Sequence, residues 1–197
     1  MDIFYFILAS ILIVVVPGPT VSLIIANSLQ SGLRAGLLNV VGTQFGVFVL
    51  ILLLALGFNL ISPALDQIIE FVRFIGAVYL IFLGIFSFIS KINFEIKKVN
   101  SFKKKYFLQG LFVILTNPKI FLFLGAFIPQ FIDLQYSVSF QIISLGILFI
   151  LIASIFDSAY AFIFSKFRDL LAKKYLNVLS KIGGLMLILV GSWMIIY

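Results

Sequence analysis

The residues of this chain that could do chemistry are few, and they sit inside apolar runs. Pro17-Gly18-Pro19 interrupts a run that begins at Ile3, and Asn117-Pro118-Lys119 interrupts another 100 positions later. Asp157 is the one acidic residue well inside such a run. The chain has no cysteine and no histidine. That removes disulfides, thiolate ligands, a nucleophilic thiol, the commonest zinc or iron ligand and the easiest proton relay. No metal or cofactor is expected. An enzyme would have to work with isolated carboxylates, so none is expected either.

Each proline lacks an N–H and collides with the turn before it, so carbonyls around Ile13 to Val15 lose their helical partners. In hydrocarbon an unpaired carbonyl is expensive, and such backbone must be buried in protein or face water. The break also makes a new helix N-terminus near Pro19, whose N–H groups suit an anion such as an amino-acid carboxylate. The bland alternative is a kink that only shapes packing; a triplet with two prolines and a glycine favours the functional reading. Lys119 adds a charge at the second break. A lysine at the centre of a bilayer costs about 2.5–3.5 kcal/mol on insertion scales, so it should face a cavity or a partner. Asp157 is the natural candidate, as an ion-pair partner, as the receiver of a substrate ammonium or as a proton-coupling carboxylate. Asn27, Asn39, Gln44, Gln130 and Tyr160 are polar groups in or near apolar runs. Singly each reads as an interhelical hydrogen bond, and together as candidates to line a pathway.

The elements that hold these residues follow from composition. Of 197 residues 63% are hydrophobic and 11% charged, whereas a soluble domain runs near a quarter charged. The pattern predicts an all-α integral membrane protein with six transmembrane helices, at about 3–27, 38–62, 68–90, 107–131, 138–165 and 178–197. Met1-Asp2 lacks a basic leader, so the first run reads as a span and not as a cleaved signal. Arg34, then Lys91, Lys97, Lys98, Lys103, Lys104 and Lys105, then Lys166, Arg168, Lys173, Lys174 and Lys181 fall in the first, third and fifth connections. Only Arg73 falls in the other two. Those three connections are therefore expected in the cytoplasm and both termini outside, with Tyr5, Trp193 and Tyr197 near the outer interface. The net charge of +7 reads as membrane orientation against anionic lipid, and no nucleic-acid partner is expected.

A repeat is also visible. Ile75 to Gly84 (IGAVYLIFLG) and Ile182 to Gly191 (IGGLMLILVG) match at Ile, Gly, Leu, Ile and Gly. With three spans per half, the second half enters the membrane from the opposite side. A three-plus-three inverted repeat with spans one and four broken at their proline motifs is a secondary-transporter architecture. The chain reads as one membrane domain, residues 1–197: a first repeat to about 90, a basic loop over 91–106, and a second repeat from about 107. Gly42, Gly46, Gly76, Gly84, Gly183 and Gly191 read as close helix contacts, and the glycine-bearing faces allow a homodimer.

At this point the residues resemble a known family. Pro17-Gly18-Pro19, SLQSGLRAGL (Ser28 to Leu37), GTQFG (Gly42 to Gly46), GAVYLIFLG (Gly76 to Gly84), NPKIFLF (Asn117 to Phe123) and IPQF (Ile128 to Phe131) together are similar to the LysE/RhtB superfamily of bacterial amino-acid exporters. The resemblance runs the length of the chain. It implies efflux of an amino acid or close derivative across the bacterial inner membrane, driven by the proton gradient, with the proline motifs in the transport core. An exporter or channel for an inorganic ion or other small solute is the second reading.

Overall fold

A computed structural model describes residues 3–61 and 103–166, with the isolated helical positions Phe74, Val78, Ile81, Phe82, Ile85, Ile89, Val178, Lys181, Leu185, Ile188, Leu189 and Ser192. Apart from those positions, the predicted spans 68–90 and 178–197, their matching segments and most of the basic loop lie outside the described residues. Among those described, every regular element is helical.

The first apolar run forms α1 (Ile3–Val15) and α2 (Pro19–Ser31), bent by 53° across the proline triplet. Pro19 opens α2, where its missing N–H costs nothing and its fixed φ suits a helix. Gly32, at φ +84°, then makes the whole connection to α3 (Leu33–Ile61), and its N–H closes α2 on the Ser28 carbonyl. That positive φ favours glycine. Helix begins at 33 and not near 38, because one glycine turns the chain.

The second half starts with α4 (Lys103–Leu115). Lys103 to Lys105 therefore belong to its first turn and do not close a loop at 106. After the break come α5 (Pro118–Leu122), a π turn over Phe123–Phe127 and a 3-10 turn over Ile128–Phe131. Here α4 and the segment after it are bent by 54°. The sequence pattern had implied plain helix to 131. Pro129 removes an N–H near the end, and Gln130 Nε2 donates 2.7 Å to the Ala126 carbonyl in this irregular stretch. The last described helix is α6 (Val138–Lys166). Residues 33–57 of α3 and all of α6 are each long and apolar enough to cross a membrane, and each bent pair is so when taken as one.

Bent pair 1 starts at Ile3 and ends at Ser31; bent pair 2 starts at Lys103 and ends at Phe131. They lie against each other in opposite directions. Going up the first pair through Phe6, Val16, Thr20, Asn27 and Ser31, contacts run down the second through Phe131, Lys119, Asn117, Gln109 and Tyr106. α3 runs antiparallel to α6, with Ala55 near Ser139 and Gly36 near Ala161. It runs parallel to α4 in backbone contact. A Cβ on Gly42 would strike the Phe107 carbonyl, and one on Gly110 would strike that of Asn39. Gly42 and Gly46 thus serve packing. Gly110, which the sequence pattern did not single out, does the same from the other side.

Candidate functional site

The two breaks meet. Val15 would pair in a regular helix with the N–H of residue 19, but Pro19 has none. Its carbonyl instead accepts a hydrogen bond from the Tyr160 hydroxyl of α6 at 2.8 Å. The next carbonyl, that of Val16, accepts one from Lys119 Nζ at 2.8 Å. Buried backbone polar groups demand partners, and here both come from distant helices. Lys119 is only 8% exposed, so its ammonium is held at the negative end of the α1 dipole. A Cβ at Gly18 would meet Lys119 at ordinary contact distance, 3.8 Å from Cδ and 3.9 Å from Nζ, so only a side chain longer than alanine would compete with the ammonium.

The second break is built from side chains. Asn117 caps α5 by accepting from the Lys119 backbone N–H at 3.1 Å, and its Nδ2 donates to Thr20 Oγ1 at 2.9 Å. One residue thus starts its own helix and ties it to the first turn of α2. No side chain caps the N-terminal end of α2 at Gly18.

Around these contacts lies a cavity of about 40 Å³, lined by Gly18, Thr20, Gln44, Asn117, Lys119 and Asp157 together with apolar side chains such as Val47 and Phe149. That is room for about three waters, too little for an amino acid. Asp157 is 4% exposed and accepts from Gln44 Nε2 at 3.0 Å. The Gln44 amide oxygen is buried and makes no hydrogen bond. Lys119 and Asp157 line the same cavity, but each is bonded to another group. Neither forms a salt bridge with the other.

The two sides of the cavity differ in chemistry. On one, Phe6, fully buried, packs edge-on to Phe131 at 5.3 Å between centroids, and Phe123 stacks on Phe127 at 5.1 Å and meets Phe149 at 4.7 Å. On the other, Asn27 Nδ2 donates to Asn39 Oδ1 at 2.8 Å and to Gln109 Oε1 at 3.2 Å. There Asn39 Nδ2 donates to the Tyr106 carbonyl at 2.6 Å, and the Tyr106 hydroxyl donates to Ser31 Oγ at 2.8 Å. Of the five pathway candidates, Gln44 lines the cavity and Tyr160 reaches the break. Asn27 and Asn39 tie helices together beside it, and Gln130 serves its own irregular turn. The spacing had not singled out Thr20, Gln109 or the Val16 carbonyl. Thr20 had one signal: it follows Pro19 directly, at the first turn of a new helix.

The family model for LysE type translocators matches residues 11–197. A homoserine/homoserine lactone efflux protein of Salmonella typhimurium is 28% identical over 192 residues, 96% of this chain and 93% of its own. The protein of that name from Salmonella typhi is 29% identical over the same shares. A Bacillus subtilis membrane protein, YrhP, is 28% identical over 189 residues, 90% of each chain. No solved structure matches. The chain is a multi-pass membrane protein and belongs to the LysE type translocator family.

Proposed function

We propose that this protein exports an amino acid or a close derivative from the cytoplasm across the bacterial inner membrane, by alternating access driven by the proton gradient. The observation that carries the reading is the junction of the two breaks. Gly18 at an uncapped helix start, Lys119 and Asp157 line one small cavity between apolar helices, and the two freed carbonyls next to Gly18 are taken up by Tyr160 and Lys119. Buried charge inside a membrane bundle marks a solute or proton path. The relatives named for efflux of homoserine and its lactone point to the same solute class.

In this reading each bent pair is one span broken near the midplane. With α3, α6 and residues 68–90 and 178–197 they complete six spans in a single domain, with both termini outside. The opposed course of the two pairs is what a three-plus-three inverted repeat requires. The substrate ammonium approaches Asp157, and its carboxylate approaches the N-terminal end of α2, where Thr20 and Val21 line the cavity. Lys119 stays on Val16. The cavity widens to admit the substrate. Protonation of Asp157 from outside releases the ammonium and permits the return.

The test is efflux from proteoliposomes preloaded with a panel of labelled amino acids, under an imposed pH gradient. Gradient-dependent loss of one class supports the reading and names the substrate. No loss across the panel turns it toward an inorganic ion or another small solute. Asp157→Asn in the same assay should remove the pH dependence; unchanged pH-dependent efflux would remove the carboxylate from the coupling step.

A further inference from the structure

Gln44 lines the cavity beside Asp157, and the export cycle gives it no part. Its amide is oriented by what it touches. In the ionised form that receives a substrate ammonium, Asp157 accepts hydrogen bonds and donates none, so the end of the amide 3.0 Å from its Oδ2 must be the NH2 group. That leaves the amide oxygen buried and without a hydrogen-bond donor. An empty buried acceptor costs stability, and each one calls for a reason. The oxygen and nitrogen of one amide lie about 2.2 Å apart, which puts Gln44 Oε1 within about 5.2 Å of Asp157 Oδ2. An ammonium nitrogen about 2.8 Å from each of two oxygens bridges a gap of up to about 5.6 Å. A carboxylate that holds one donor keeps lone pairs for another. The pair therefore offers one charged and one neutral acceptor to a single N–H-bearing cation. Lys119 is not that cation, because its ammonium is held by the Val16 carbonyl.

We propose that Gln44 is a specificity residue of the export site: its amide oxygen takes a second N–H of the substrate ammonium while Asp157 takes the first, so the site selects ammonium groups with at least two N–H. The proposal rests on the export reading and narrows its substrate class to primary and N-monomethyl amines. Charge alone then does not admit a solute. A tertiary ammonium carries the same charge but a single N–H, which serves Asp157 and leaves Gln44 Oε1 empty. A site built to hydrogen-bond its substrate rejects an analogue lacking the group, because its own buried atom stays unpaired.

The measurement uses the same proteoliposomes, loaded with the amino acid that moves in the panel, with its N-methyl derivative or with its N,N-dimethyl derivative. Wild type should export the parent and the N-methyl derivative with similar kcat/KM. It should export the N,N-dimethyl derivative about 10- to 100-fold less efficiently, the worth of one hydrogen bond to a charged group. Gln44→Leu, close in volume but without the amide, should lose efficiency toward the parent and bring the three solutes close together. A stepwise fall with each methyl that persists in Gln44→Leu marks bulk in place of N–H count; it overturns the proposal while the export reading stands. A Gln44→Leu protein that slows all three solutes by the same factor also overturns it, by making Gln44 only a support for Asp157. Where Gln44→Leu cannot be recovered, Gln44→Met takes its place. Wild-type export of the N,N-dimethyl derivative as efficiently as the parent overturns the proposal without any variant. Export of no amino acid in the panel removes the export reading and this proposal with it.

Discussion

The two breaks occupy matching places in the two bent pairs, yet they are made by opposite means. At Pro17-Gly18-Pro19 the chain subtracts. Two N–H groups and a side chain are missing, and what remains is bare carbonyl at Val15 and Val16 with an uncapped start to α2. At Asn117-Pro118-Lys119 the chain adds: an amide that caps and cross-links, and an ammonium that reaches across. One break supplies acceptors and the other supplies donors. Two identical breaks face to face would leave like groups opposed. The difference between the two breaks is therefore what lets them close on each other.

Substitutions can break this division of labour, and the donor side should be the more costly. Lys119→Met removes a charged donor from a buried carbonyl. Efflux should fall to background and stability by about 1.5–3 kcal/mol, the range for hydrogen bonds to charged groups, read from the unfolding midpoint. Gly18→Val should copy the loss of efflux by displacing the ammonium, though the lysine itself is intact. Retained efflux would show that contact with Val16 is dispensable. Asn117→Ala should cost about 1–2 kcal/mol, as a lost helix cap does. Its loss should be non-additive with Thr20→Val in a double-mutant cycle; additive losses would deny the link between the breaks. Tyr160→Phe removes a neutral donor from Val15 and should cost about 1 kcal/mol. Smallest for stability is Pro17→Ala, within about 0.5 kcal/mol of wild type because it returns a partner to the Ile13 carbonyl, while efflux falls about tenfold. If Pro17→Ala destabilises as much as Asn117→Ala, the first break is packing and the contrast fails.

How much of this could be read from residues alone differs by kind of interaction. Helices end at Val15 and Leu115 and resume at Pro19 and Pro118, where proline chemistry says they must. Lys119 and Asp157 were legible as buried charges needing company, and they share one cavity. Which groups they bind was not legible. The partner of Lys119 is a backbone carbonyl, and every residue has one. Asn27 and Asn39 read the same whether they line a path or bond to each other, because amide side chains on apolar helices do both. Gly42 announced close packing, but its counterpart Gly110 lay too near the expected start of its span to stand out. The π turn over Phe123–Phe127 has no signature in this sequence beyond Gly125 and Pro129 nearby.

Gly32 has a mechanical meaning as well as a conformational one. A single-residue connection leaves no slack, so α2 and α3 cannot slide past each other. Any rotation of α2 about the break must carry the start of α3 with it. Thirteen residues make a rigid arm of about 20 Å, and a turn of about 10° at Gly18 would sweep its far end through about 3 Å. The proline triplet is then a fulcrum and Lys119 a latch beside it. A turn of that size would part the Ser31 hydroxyl from its Tyr106 partner at the far end of the arm.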